Sequence, residues 1–261
     1  MNPARPSSAV ILLREKAGDT EVFLGKRHGR ATFASAFVFP GGVVEPEDAL
    51  VHEHCNGVDS SDADRRLSVV SGGLDYFSAA IRELFEETGV LLATDTEGEW
   101  ITKEADRRVS LSDTRQALYA GELSWAETLS SWRIKLATDH LHYVGHWETP
   151  VILSARFSTR FFLADLPPGQ EPKHDGKELI DSRWLTPTEA LGLHKIGEIE
   201  LPFPHMKHLQ KLASFATPQE LRQWARERWR EPIVKVRPWI IEGAGERKFI
   251  LPWEPGYPDN A

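Results

Sequence analysis

Cysteine is almost absent from this chain: Cys55 stands alone among 261 residues. An intramolecular disulfide framework is therefore excluded, and the composition fits a reducing compartment. Long apolar runs are missing too, since nothing approaches the roughly 18–20 consecutive residues that a membrane-spanning helix needs. The opening residues, Met-Asn-Pro-Ala-Arg-Pro-Ser-Ser, carry no apolar core of the kind a secretory leader has. The closing ones, Pro-Asp-Asn-Ala, form no recognisable targeting tripeptide, so the expected setting is cytoplasmic. Positive charge is in deficit: 31 Lys and Arg face 39 Asp and Glu, a net charge of −8. That balance argues against a general nucleic-acid binder. An anionic substrate would have to be captured by local positive charge, and metal ions can supply it. No internal repeat or low-complexity tract is evident. What is present is ordinary for a globular protein, 41% apolar and 27% charged, enough for a sizeable core.

Along the chain, residues 8–14 and 21–27 read as a hairpin, and 37–39 as a third strand ending at Pro40-Gly41-Gly42. Residues 49–73 are polar and glycine-punctuated, which predicts an irregular segment. From Ser78 to about Leu92, Ala79, Ile81, Leu84, Phe85 and Thr88 occupy one helical face, with Gly89 loosening the final turn. A further helix is expected over 112–136, and strands over 141–147, 159–165 and 179–185. Thr186-Pro187-Thr188-Glu189 has the form of a capping box opening a helix. Two helices over 202–215 and 218–230, then strands over 233–241 and 247–251, complete the reading. Residues Trp253 to Ala261 read as a tail.

Chemistry concentrates in Ile81-Arg-Glu-Leu-Phe-Glu-Glu-Thr-Gly-Val90. Glu83, Glu86 and Glu87 fall at i, i+3 and i+4 of the helix and share one face. Three like charges so close repel one another, and a hard divalent cation with oxygen ligands is a natural way to stabilise them. With the upstream Phe37-Val-Phe-Pro-Gly-Gly42, this stretch resembles the signature of the Nudix hydrolases, Gly-x5-Glu-x7-Arg-Glu-U-x-Glu-Glu-x-Gly-U, where U is a bulky aliphatic residue. One irregularity stands out. Gly42 and Arg82 lie 40 positions apart, where the pattern has 14, so about 26 residues interrupt the box. An interrupted box resembles that of the peroxisomal coenzyme A diphosphatases of the motif 19 type and their bacterial relatives. Trp147-Glu-Thr-Pro150, Arg160-Phe-Phe-Leu163 and Leu212-Ala-Ser-Phe-Ala216 resemble the same group.

The resemblance implies an α/β/α Nudix sandwich with a mixed central sheet, formed by residues 1–261 as one domain. An insertion at 49–77 and a helical C-terminal extension at 200–252, packed on the core, would elaborate it. It implies Mg²⁺ or Mn²⁺, with Glu83, Glu86, Glu87 and the backbone carbonyl of Gly41 as ligands. Arg82 would orient a glutamate, with Glu45 as a candidate partner. Asp48 and Asp75 compete for the remaining acidic position of the box. Glu178, ahead of the strand at 179–185, matches the place of a catalytic base, and Lys26 and Arg27 are candidates for meeting phosphate. The substrate would be a nucleotide-type small molecule with a diphosphate. Coenzyme A or its acyl esters are favoured, giving 3′,5′-ADP and 4′-phosphopantetheine; ADP-ribose and NADH are the alternatives.

Three other features of the sequence admit readings of a different kind. His140, His142 and His146 make no convincing zinc set, and Trp147 and Phe162 suit core packing better than base stacking. Helix, Thr217-Pro218, helix and two strands superficially suggest a winged-helix module of a ligand-sensing regulator. Against that, Trp224 and Trp229 argue for helices packed on the hydrolase core. Nothing in the sequence selects an oligomeric state, a homodimer included.

Overall fold

The computed structural model describes residues 2–29, 35–102, 110–243 and 246–258. Strands β1 (Arg5–Lys16) and β2 (Asp19–Arg27) pair antiparallel as the expected hairpin. Along β1, Val10 and Leu12 enter one apolar layer while Ala9, Ile11 and Leu13 enter the other. This is the two-residue period of a strand covered on both faces. The short β3 (Phe37–Val38) adds to β2, and β4 (Gly41–Val43) adds to β1. The glycine turn between them is thereby fixed near the middle of the sheet.

The stretch expected to be irregular is ordered and partly helical. A 3-10 helix covers Pro46–His54, followed by β5 (Cys55–Asn56) and α1 (Ser60–Leu67). Val51, Val58, Ala63 and Leu67 join the core; each element buries so little that its composition reads as loop. The next helix, α2 (Gly73–Thr88), begins five residues before the expected Ser78. Gly73 starts it because α1 crosses there: a Cβ would run into the backbone of Ala63 and Asp64. The Asp64 carboxylate also accepts the Gly73 N–H at 2.7 Å. Gly89, at φ +73°, ends the helix.

After β6 (Ala93–Thr94), the single helix expected over 112–136 is two, α3 (Leu111–Tyr119) and α4 (Trp125–Trp132). Gly121 turns left-handed at φ +69°, and Ser124 opens the second helix in a capping box with Glu127. β7 (Lys135–Ala137) then sits between β5 and β6 in a small sheet.

Strands β8 (His142–Glu148), β9 (Phe157–Asp165) and β10 (Leu179–Leu185) return to the main sheet. Thr186 caps α5 (Pro187–Lys195) with Glu189, as its sequence suggests. α6 (Phe203–Leu212), α7 (Pro218–Glu227) and the edge strand β11 (Lys235–Val236) follow. The main sheet runs β10-β2-β1-β9-β8-β11. It is mixed, because β1–β9 and β8–β11 are parallel while the other pairs on this path are antiparallel. α2 and α4 cover one face, α5, α6 and α7 the other, so the α/β/α sandwich expected from the resemblance is the architecture found.

The strand expected over 233–241 is split at Pro238. Its second half, β12 (Trp239–Gly243), pairs with β13 (Glu246–Ile250) in a separate hairpin. Leu209, Leu212, Leu221 and Ala225 of α6 and α7 are buried against the main sheet, and Trp224 packs beside them. Trp229 does not: it is exposed, with the Arg66 guanidinium 5.3 Å above its ring. The expected tail is anchored where Tyr257 donates a hydrogen bond to the Arg237 carbonyl at 2.8 Å. Among the described residues no helix is long and apolar enough to cross a membrane.

Candidate active site

Helix α2 presents two faces of different chemistry. Phe77, Ile81, Leu84 and Phe85 are fully buried in the core, and that packing fixes the rotation of the opposite face. There Arg82 is the organising group. Its Nε and one terminal nitrogen each reach an oxygen of Asp48 at 2.9 Å. The other terminal nitrogen donates to Glu83 at 2.9 Å and Glu86 at 3.2 Å, and the Val43 carbonyl accepts a further bond at 2.9 Å. Asp48 is completely buried and also accepts the Glu45 N–H at 2.8 Å.

The choice that the sequence left open falls to Asp48, since Asp75 pairs instead with His52 at 2.7 Å. Glu45, the expected partner of Arg82, faces Arg5 at 3.5 Å. The cause is local: Glu45 is the cap of the 3-10 helix, and that first turn swings Asp48 inward. The break in the box therefore lies after Asp48, six positions beyond Gly42.

Both glycines of the turn are required by close approach. A Cβ on Gly41 would collide with the backbone of Ser8 and Ala9, and one on Gly42 with the Glu83 carboxylate. The Gly41 N–H donates to Glu87 Oε2 at 2.9 Å. The other oxygen, Oε1, is buried with no hydrogen-bond partner. Burial pushes the Glu83 carboxyl up to about 7, with Arg82 pulling it back and Glu86 adding to the rise. Burial also raises Glu86. Glu87 is raised well above the usual range by burial and by neighbouring Glu83. Burial alone would lower the Arg82 guanidinium, but Asp48, Glu83 and Glu86 outweigh it and hold it charged.

Glu83, Glu86 and the glycine turn open onto a cleft of about 440 Å³. Its polar lining includes Glu83, Glu86, Gly41, Arg27 and Glu178, and its apolar lining Trp147, Phe203, Phe249 and several prolines. Arg27 enters with its Nε buried and unpartnered. Lys26 does not line the cleft, because successive residues of β2 point to opposite faces. The Glu178 charge acts on both Glu83 and Glu87. His205, which no sequence pattern marked, stacks on Phe39 at 5.0 Å and lines the same cleft. Burial, His208 and Arg27 hold its imidazole neutral, with a pKa of about 3. Trp147 serves both core and cleft, and Phe162 only the core. Burial raises the Cys55 thiol to about 12, with Asp48 and Asp75 adding to it, so it is a poor nucleophile.

Among the described residues no three His, Cys, Asp or Glu side chains are already gathered closely enough to enclose an ion. Arg82 draws Glu83 and Glu86 to itself, while Gly41 holds Glu87. The donor set nevertheless fits a hard divalent cation. Glu83 and Glu86, both of raised proton affinity, line the cleft, and beneath it Glu87 Oε1 is a buried oxygen without a partner.

Comparison with known proteins decides the family. Residues 53–212, more than half of the chain, match the family described as the NUDT19 Nudix domain. The chain belongs to that family. As a Nudix hydrolase it is similar to the acyl-coenzyme A diphosphatase NUDT19 of Xenopus laevis, 28% identical over 280 residues, covering 95% of this chain and 74% of that one. The protein of the same name from Gallus gallus is 25% identical over 290 residues, with 93% and 74% covered. Among solved structures, a NUDIX hydrolase from Alicyclobacillus acidocaldarius superposes with a TM-score of 0.71 at 25% identity. That match covers 85% of this chain and 97% of the other. Nudix hydrolases generally use divalent metal ions, in keeping with the donor set of this cleft.

Proposed function

We propose that this Nudix hydrolase cleaves the diphosphate of coenzyme A or an acyl-coenzyme A, releasing 3′,5′-ADP and 4′-phosphopantetheine or its acyl form. Mg²⁺ or Mn²⁺ would be held by Glu83, Glu86, Glu87 and the Gly41 carbonyl. The observation that carries the reading is the arrangement around Arg82. It gathers two glutamates that line a substrate-sized cleft, on the same helix as a third whose buried Oε1 lacks a partner. Such a cation, when bound, offsets phosphate charge and makes water a stronger nucleophile. Arg82 is enclosed and acts by orienting Glu83 and Glu86, without touching substrate. Arg27, which lines the cleft, offers its guanidinium to a phosphate oxygen. Glu178 accepts the proton of the attacking water. The names of the amphibian and avian relatives support coenzyme A as the substrate class.

We further read residues 1–261 as one hydrolase domain, with 49–77 inserted in the box and 200–252 as an extension, acting in the cytoplasm. The test of function is a panel of coenzyme A, octanoyl-coenzyme A, ADP-ribose and NADH, each with Mg²⁺ or Mn²⁺, with products identified by mass. Release of 3′,5′-ADP from the coenzyme A pair is expected. AMP from ADP-ribose or NADH, with coenzyme A untouched, would overturn the substrate assignment.

A further inference from the structure

Glu178 sits on a loop, and a loop carboxylate needs support to act at a defined point. Helix α3 supplies it. Arg115 and Tyr119 stand at i and i+4 and so share one face of that helix. The Arg115 Nε donates to the Glu86 carbonyl at 2.6 Å, and a terminal nitrogen donates to the Lys173 carbonyl at 3.0 Å. Lys173 in turn donates its N–H to the Thr88 carbonyl at 2.8 Å. The loop leading to Glu178 is thereby docked on the last turn of α2, the helix that carries the three glutamates.

Tyr119 acts two steps further along the loop. Its hydroxyl donates to Asp175 Oδ2 at 2.6 Å. Asp175 accepts the backbone N–H groups of Lys177 at 3.1 Å, Glu178 at 2.8 Å and Leu179 at 2.8 Å. On the other side of the peptide, the Glu178 carbonyl accepts the His28 N–H at 2.9 Å. The Glu178 backbone is thus held at both its N–H and its carbonyl. The Lys177 ammonium lies 4.1 Å above the Tyr119 ring, which keeps that side chain on the outside of the turn. Burial favours protonation of Asp175, but the Tyr119, Glu178 and Leu179 hydrogen bonds outweigh it and keep the carboxyl ionised as an acceptor.

We infer that Arg115 and Tyr119 are positioning residues: through Lys173 and Asp175 they set the place of Glu178 relative to the glutamates of α2. The inference rests on Glu178 being the base of the proposed reaction. Neither residue lines the cleft, so their influence passes through the loop. A displacement of about 1 Å in a reacting group can lower a rate by roughly a hundredfold.

The test is a cycle of Y119F, E178Q and the double variant, with coenzyme A and Mg²⁺, reading kcat, KM and thermal midpoint. Y119F removes one donor and keeps the ring. It is expected to lower kcat about tenfold while KM stays within about twofold and the midpoint within about 2 °C. E178Q is expected to lower kcat by at least about a hundredfold, and the double variant to be no slower than E178Q alone. R115K keeps a cation within reach of one carbonyl and is expected to retain more kcat than R115A. Full kcat in Y119F, or losses that multiply in the double variant while E178Q is severely impaired, would overturn the positioning role and leave the base intact. Near-normal kcat in E178Q would overturn the base assignment and this inference with it.

Discussion

Changing Asp48 to asparagine keeps the shape of the side chain but removes its charge and turns one acceptor into a donor. Asp48 is completely buried, and both of its oxygens are engaged: Arg82 reaches each at 2.9 Å, and the Glu45 N–H reaches one at 2.8 Å. The variant leaves a buried guanidinium short of one carboxylate and sets an amide N–H against a donor. Breaking a buried pair in this way costs about 3–5 kcal/mol. At roughly 2–4 °C per kcal/mol for a chain of this size, the thermal midpoint should fall by about 6–20 °C. Asp75→Asn is the matched control. Its partner His52 lies at 2.7 Å in a partly exposed pair, so the change should cost no more than about 1 kcal/mol. Thermal unfolding followed by circular dichroism, with urea unfolding as a second measure, reads both variants. An Asp48→Asn midpoint within about 2 °C of the parent, or a larger loss in Asp75→Asn, would refute the assignment of Asp48 as the anchor of Arg82.

Three further outcomes are expected. Glu86→Gln and Glu87→Gln should each lower kcat by at least about a hundredfold while the circular dichroism spectrum keeps its form; near-full activity in either would remove it from the ligand set. Gly42→Ala should weaken Mg²⁺ binding by about 10–100-fold in calorimetric titration, because the added Cβ meets the Glu83 carboxylate; unchanged affinity would show that Glu83 is not held as described. Two buried histidines should also each remove stability on acidification. His146 and His208 are buried and depressed to about 3, by burial together with Arg160 and Lys235 for the first and by burial for the second. At these two positions the unfolded chain therefore binds more protons than the folded one below about pH 6.5, while the raised carboxyls of Glu83, Glu86 and Glu87 act in the opposite sense. The histidine contribution is complete above that pH and fades towards pH 3, by up to about 1.4 kcal/mol per histidine per pH unit. Urea unfolding of the parent and His208→Phe at pH 7, 6 and 5 isolates it: the difference in stability should shift in favour of the variant as the pH falls, and a constant difference would refute the assignment.

Legibility in the sequence followed the distance over which each contact acts. Glu83, Glu86, Glu87 and Arg82 lie on two helical turns, and their shared face follows from spacing alone. The hairpin and the Thr186 cap are equally local. Asp48 was readable only as one of two candidates, because the insert hides which acidic residue folds back onto Arg82. The helices of that insert were missed because Val51, Val58, Ala63 and Leu67 are too widely scattered to show a period. Gly73 closes the glycine-punctuated stretch in the sequence, yet its lack of a side chain serves the crossing with α1. His205 reaches the cleft from α6, and Arg115 reaches Glu86 from α3. No local pattern marks contacts between residues so far apart. Lys26 and Arg27 were indistinguishable as neighbours until strand pairing assigned them to opposite faces.

The most direct test of the proposed chemistry is turnover of coenzyme A by protein stripped with EDTA and then reloaded with Mg²⁺ or Mn²⁺, with Glu86→Gln treated in parallel. The expected result is no product from stripped protein, then 3′,5′-ADP and 4′-phosphopantetheine in equal amounts on reloading, with little from the variant. Equal turnover before and after reloading, or in the variant and its parent, would contradict a metal site built on these glutamates.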